Sequence, residues 1–188
     1  MMRGRSLAAL TGLSGLALGL WALLVRGSLT VDLGVGRRYR SLGPLRVRIA
    51  APRDVVYDVV SSPYLGPTPR ALRTKLEVLE RGLDFVLAAH FTQVHGLTAT
   101  TVETVRFEPP ERVHFRLVRG PVPHVVERFE LRETVDGTEL EYSGELGTDF
   151  WAVGALWGAA VARTWVSTVE SSLASVKDEA ERRAGRRS

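Results

Sequence analysis

The residues of this chain best suited to chemistry are carboxylates in apolar company. In HVVERFEL (124–131), Val125, Glu127, Phe129 and Leu131 share one side of an alternating strand, while His124, Val126, Arg128 and Glu130 share the other. Glu127 therefore travels with three large apolar side chains. In TATTVETVRFE the more apolar set Ala99, Thr101, Glu103, Val105 and Phe107 carries Glu103 along. In RVHFRLVR the set Val113, Phe115 and Leu117 runs on into Arg119, and TELEYSGEL groups Tyr142 with Leu140, Gly144 and Leu146. An unpaired charge on such a face costs several kcal/mol, so it must be paired, protonated or wetted. A guanidinium bridging carboxylates is the simplest solution, which points to Arg119 pairing with Glu127 or Glu103. Three chemistries stay open: a structural ion cluster at the sheet rim, a polar grip on the head of a ligand in an apolar pocket, or acid–base catalysis by Glu127 or Glu103 with a raised pKa.

Other reactive residues are sparse. There are no cysteines, which removes disulfides, thiolate metal sites and cysteine nucleophiles. Of the histidines, His90 and His95 point to opposite faces of one strand and His114 groups with Arg116 on a wetter face, so no metal site is expected. Only His90 is a candidate pocket residue. No Ser-His-Asp arrangement, HExxH or phosphate-binding glycine loop appears, and no cofactor is implied.

The elements that must hold these residues read from the pattern. LRVRIAA (45–51) alternates as a strand with one wet face. PRDVVYDVV follows as a helix with proline at its first position, Asp54 in its first turn and a valine stripe, and Ser61-Ser62-Pro63 is expected to end it. YLGPTPRAL should be irregular or a single helical turn. Strands are then expected at 72–80, 85–94, 98–108, 112–119, 124–134 and 138–146, the last two joined at Asp136-Gly137, a strong hairpin signal. From Asp149 to about Arg183 there is no proline, and Trp151, Ala155, Gly158, Ala162, Trp165, Val169, Leu173 and Val176 form a stripe with helical spacing. Its uncharged opening, FWAVGALWGAAVA, suits a buried helix or leaves room for a ligand, and Trp151 and Trp157 also suit a bilayer interface. This is an α+β plan: a curved antiparallel sheet around a long terminal helix, with either a core or a cavity between them.

Ahead of the domain, Ser6 to Val25 carries no charge over 20 residues, roughly 30 Å as a helix, enough to span a hydrocarbon layer. Its length, and the lack of a clean small-x-small site in the RGSLTVD that follows, favour an uncleaved anchor over a signal peptide. Arg26, Arg37, Arg38 and Arg40 behind it point to a cytoplasmic C-terminal domain, and the basic residues near the span could meet anionic headgroups. The net charge of +4 does not argue for nucleic acid: without Arg3, Arg5 and Arg26 the count is 22 basic against 21 acidic, a net of +1. No basic stripe with interleaved aromatics is present.

RVRIAAPRDVVYDVVSSP resembles the opening strand and helix of the START-like helix-grip proteins, the SRPBCC superfamily, in its polyketide cyclase/dehydrase and lipid-transport branch. RFEPPERVHFRL, VVERFEL, DGTELEYSGEL and the tryptophan-bearing helix continue the resemblance over about residues 45–180. It implies the helix-grip fold and a cavity for lipids, quinones, sterols or polyketides, which a minority of such proteins cyclise or dehydrate. The anchor lies outside the usual domain, and SSPYLGPTPRAL lacks a tryptophan often found there, so no catalytic residue transfers. The expectation is a membrane anchor (1–27), a linker or accessory strand (28–44), a helix-grip domain (45–180) and a basic tail (181–188). The domain binds or transfers an apolar small molecule, held by His90, Glu103, Phe115, Arg119, Glu127, Phe129, Tyr142, Trp151 and Trp165. A cyclase or dehydratase using Glu127 or Glu103, and a pocketless interaction domain, are the alternatives.

Overall fold

The computed structural model describes residues 18–186. Seven antiparallel strands form one sheet in the order β1-β7-β6-β5-β4-β3-β2. They are β1 (Arg38–Ile49), β2 (Leu76–Arg81), β3 (Val86–Val94), β4 (Leu97–Glu108), β5 (Arg112–Arg119), β6 (His124–Thr134) and β7 (Gly137–Thr148). Between β1 and β2 lie helix α1 (Arg53–Leu65) and a short 3-10 turn, Arg70–Leu72; helix α2 (Trp151–Ala184) ends the chain. At 34 residues, α2 reaches roughly 50 Å. It crosses the concave side of the sheet from the β5–β6 loop to the end of β1. There Glu181 Oε1 accepts from the Ala50 amide at 2.9 Å and Lys177 Nζ donates to the Arg48 carbonyl at 2.7 Å.

The alternation seen in the sequence becomes two faces. Val105, Val113, Leu131, Leu140 and Tyr142 are fully buried on the inner face, together with Val55 and Val56 of α1. Arg106, Arg116, Arg128 and Arg132 line the outer face. Toward its C-terminus α2 packs tightly through Val169, Leu173 and Ala180, whereas toward its N-terminus Gly158 and Ala162 let it approach β7 closely. A Cβ at Gly158 would lie 3.1 Å from the Thr148 side chain.

Several boundaries depart from expectation for identifiable reasons. The first strand begins at Arg38, within the expected linker: residues 38–42 pair with β7, and a register break between Leu42 and Leu45 absorbs Gly43-Pro44. Leu29–Leu33 does not form a strand. Helix α1 does not end at Pro63 but runs to Leu65. A proline in the last turn forfeits one backbone bond, and Val56, Val60 and Tyr64, four apart, keep an inward stripe. The basic tail starts later, because Arg182 and Arg183 belong to α2 and pair with Glu179. Most of the expected membrane span lies outside the described residues; its end, 18–25, is helical, and among the described residues no helix is long and apolar enough to cross a membrane.

Residues 26–37 form an arm over one end of the sheet. The Arg26 carbonyl accepts from the Thr100 amide at 3.2 Å, and Thr30 Oγ1 donates to the Gly120 carbonyl at 2.7 Å. Buried Asp149 accepts from the amides of Leu33 (2.7 Å) and Gly34 (2.8 Å) and from Arg37 Nε (2.8 Å), and Arg37 also pairs with Asp32. The Arg37 guanidinium, helped by the two amides, holds the Asp149 carboxyl below its usual range. The amides of Phe150 and Trp151 donate to Val35 and Gly36.

Candidate functional site

Glu127 sits midway along β6, opposite Phe115 of β5 and Gly144 of β7. The glycine opens the space the carboxylate uses: a Cβ at Gly144 would come within 2.8 Å of the Val126 carbonyl and 3.1 Å of Glu127 Cγ. Glu127 Oε1 accepts two hydrogen bonds of 2.6 Å, from the Tyr142 hydroxyl on β7 and from the Trp165 indole on α2. Among the described residues, its second oxygen takes none.

Glu103, on β4 between Ala88 and Leu117, has its side chain 7% exposed. Its Oε2 lies 3.3 Å from His90 Nδ1. That His90 contact is close but poorly aligned, so Nδ1 is a buried nitrogen without a proper hydrogen-bond partner. His90 Nε2 meets the Tyr64 hydroxyl at 3.0 Å. A chain of rings connects the two halves, Tyr64 to Phe115 at 5.9 Å, Phe115 to Phe129 at 5.5 Å and Phe129 to Tyr142 at 5.5 Å between centroids.

The electrostatics follow from burial among these rings. Desolvation pushes both carboxyls up to about 7, and for Glu127 the nearby Glu103 adds to the rise while Tyr142 and Trp165 oppose it. The two therefore titrate as a coupled pair, with repulsion disfavouring the doubly ionised state. Burial drives His90 the other way, down to about 4, against the opposing pull of Glu127. The imidazole is thus neutral at physiological pH, and its contact with Glu103 is that of a neutral ring rather than an ion pair. Burial likewise raises the Tyr64 and Tyr142 hydroxyls.

Glu127, Leu117, Phe129 and Trp165 face inward yet are only half-buried, although the carboxyl is strongly desolvated. They line the inner face between strands β4–β6 and the N-terminal half of α2, where Leu117, Phe129 and Trp165 pack against the core. Trp157 ties α2 to the β5–β6 loop by donating its indole to the Pro121 carbonyl at 2.8 Å. A separate cleft of about 590 Å³ opens at the far end of the sheet, beside Arg53, Pro110, Glu133 and Gly137, and contains none of these residues.

Of the residues expected at a ligand, His90, Glu103, Phe115, Glu127, Phe129, Tyr142 and Trp165 come together on this inner face. Two do not. Arg119 faces outward and is exposed, because the register of β4 against β5 shifts: Glu103 opposes Leu117, but Val102 opposes Arg119. Val118 is the extra residue, and this bulge carries Arg119 to the opposite side from Leu117. The carboxylates are accordingly not bridged by arginine. Trp151 is exposed at the start of α2, where its ring lies over Gly36 of the arm; a Cβ on Gly36 would come 2.3 Å from that ring. Tyr64 was not anticipated as a site residue. The signal was the spacing of Val56, Val60 and Tyr64, hidden by reading Pro63 as a helix end.

The family model described as polyketide cyclase / dehydrase and lipid transport matches residues 45–181. The chain belongs to that family. Among solved structures, the chain is similar in fold to the ZhuI aromatase/cyclase of Streptomyces sp. R1128 at 20% identity and a TM-score of 0.62, covering 78% of this chain and 95% of that one. The di-domain aromatase/cyclase BexL of the BE-7585A biosynthetic pathway is similar at 19% identity and a TM-score of 0.56, over 97% of this chain and 58% of its own. The protein TTHA0849 of Thermus thermophilus is similar at 18% identity and a TM-score of 0.55, over 77% of this chain and 94% of its own. No curated protein matches the chain. The helix-grip architecture expected from the resemblance is the one observed.

Proposed function

We propose that this member of the polyketide cyclase / dehydrase and lipid transport family binds an apolar small molecule in a hollow between sheet and α2, at the surface of a membrane. The observation that carries the reading is the half-buried, strongly desolvated Glu127, with one carboxylate oxygen engaged by Tyr142 and Trp165 and the other without a protein partner. A solid core would not keep such a group, because an unsatisfied buried acceptor costs about 1–3 kcal/mol. Aromatic walls with a few convergent polar groups are the usual composition of a small-molecule pocket.

The membrane part is supported by the arm end of the domain. Leu18, Leu20, Trp21 and Leu23 precede the arm, Leu29, Leu33 and Val35 lie along it, and Phe150, Trp151, Val153 and Leu156 open α2; all are exposed. Apolar side chains gathered at one end, continuous in sequence with the uncharged stretch from Ser6, suit a bilayer. A second reading, a cyclase or dehydratase, is favoured by the same carboxyl pair, whose protonation near neutral pH suits a general acid or base.

Native mass spectrometry of the full chain released from detergent tests the first reading. An apolar adduct at one copy per chain is expected. A chain that is ligand-free, and stays so after incubation with lipid extract, contradicts it. Turnover of the adduct, abolished by Glu127→Gln while binding persists, would select the enzymatic reading instead.

A further inference from the structure

The polar side of the proposed hollow carries carboxyls without a cation. The ionisable groups that face it are Tyr64 from α1, His90 from β3, Glu103 from β4, Glu127 from β6 and Tyr142 from β7, while β5 contributes only Phe115 and Leu117 and α2 the Trp165 indole. Among the described residues no lysine or arginine pairs with either carboxyl; Arg119, the one candidate on the neighbouring strand, is carried outside by the Val118 bulge. Tyr142 and Trp165 spend their donors on the same oxygen of Glu127. Among the described residues the second oxygen of Glu127 takes no hydrogen bond from the protein, and the buried Nδ1 of His90, donor or acceptor according to its tautomer, makes none either.

We propose that the hollow selects its ligand by head group, taking an apolar compound that brings its own hydrogen-bond donor, an alcohol, phenol or amine, and rejecting fatty acids and other anionic amphiphiles. The inference rests on the hollow being a binding site. A donor head satisfies the free carboxylate oxygen, and a positive one also offsets part of the carboxyls' charge; an anionic head adds negative charge beside them with no cation to absorb it. A neutral donor leaves the charge of the carboxyls uncompensated, so alcohols stand between amines and acids.

The test compares three amphiphiles with one chain length: 1-decanol, decylamine and decanoate. Each is added at equal concentration to the full chain in detergent, and occupancy is read by native mass spectrometry at pH 8.0. Decylamine is expected to exceed decanoate by at least tenfold, with decanol between them. The double variant Glu103→Gln, Glu127→Gln should reduce the amine-to-carboxylate ratio at least tenfold, and because both proteins share one detergent, differences in micelle partitioning cancel. Decanoate binding as well as decylamine, or a ratio indifferent to the substitutions, overturns the head-group inference and leaves the hollow intact. Occupancy by none of the three overturns the binding site itself. If the double variant does not fold, pH does the same work on the parent with decanesulfonate in place of decanoate, because the sulfonate and the amine both keep their charge between pH 5.5 and 8.0. The ratio should then rise over that interval as the carboxyls ionise, and a flat ratio overturns the inference.

Discussion

Two carboxyls sharing one apolar interior hold protons more tightly in the folded chain than in the unfolded one, and this has a sign. Their folded pKa near 7 exceeds the unfolded value near 4.5, so the native state binds more protons across that window. Stability is fully present below about pH 4.5 and falls as pH rises through 7. His90 acts oppositely: its folded value near 4 lies below the ordinary 6.5, so its contribution falls as pH drops through that interval. Chemical denaturation at pH 8.0 should therefore find Glu103→Gln more stable than the parent by on the order of 1–2 kcal/mol. At pH 5.0 the difference should vanish; equal stability at both pH values contradicts the assignment. Glu127 and Glu103 were legible from alternation alone, because a strand without bulges preserves its faces. Arg119 was misread for the complementary reason: nothing in RVHFRLVR marks the extra residue that turns it over. Arg119→Ala should leave both ligand occupancy and the melting midpoint unchanged, within about 0.5 kcal/mol. A loss of occupancy would return the arginine to the site.

At the scale of elements, two joints decide whether the site assembles. The first is α1, whose final turn delivers Tyr64 to His90 past Pro63. Proline signals a helix end on average, but a single lost backbone bond is outweighed when the following residue packs an aromatic ring. The second joint is the arm, held to the start of α2 by Asp149. No local pattern in residues 28–37 announces it, because its bonds run to partners more than 100 positions away, Leu33 and Gly34 to Asp149. Asp149→Ala removes the acceptor of two backbone amides and of Arg37 together. A loss of about 1–3 kcal/mol in stability is expected. Hydrogen exchange should quicken at Leu33, Gly34, Phe150 and Trp151 while β6 and β7 keep their protection. Uniformly faster exchange across the sheet would mean that the arm is part of the global fold rather than a clasp on one end.

For the molecule as a whole, the proposed hollow lies under the N-terminal half of the long helix, and the C-terminal half is packed. Val169, Leu173 and Ala180 close against the core, and the tryptophan-bearing half stands over the carboxyl pair. The order of elements made this plan readable in advance, since a strand, a helix, a run of hairpins and a long final helix have few ways to bury their faces. Whether the enclosed space is filled depends on side-chain volumes across strands, which periodicity does not report. Leu117→Trp puts that question to experiment, because its indole would fill the hollow proposed beside β5. In a filled core the larger side chain costs about 1–3 kcal/mol. In a hollow it fits. The decisive measurement is 1-decanol occupancy of the Leu117→Trp variant beside its parent, by native mass spectrometry. We predict one equivalent on the parent and none on a variant that melts no lower. Parent-level occupancy in the variant, or an empty parent, would contradict the account.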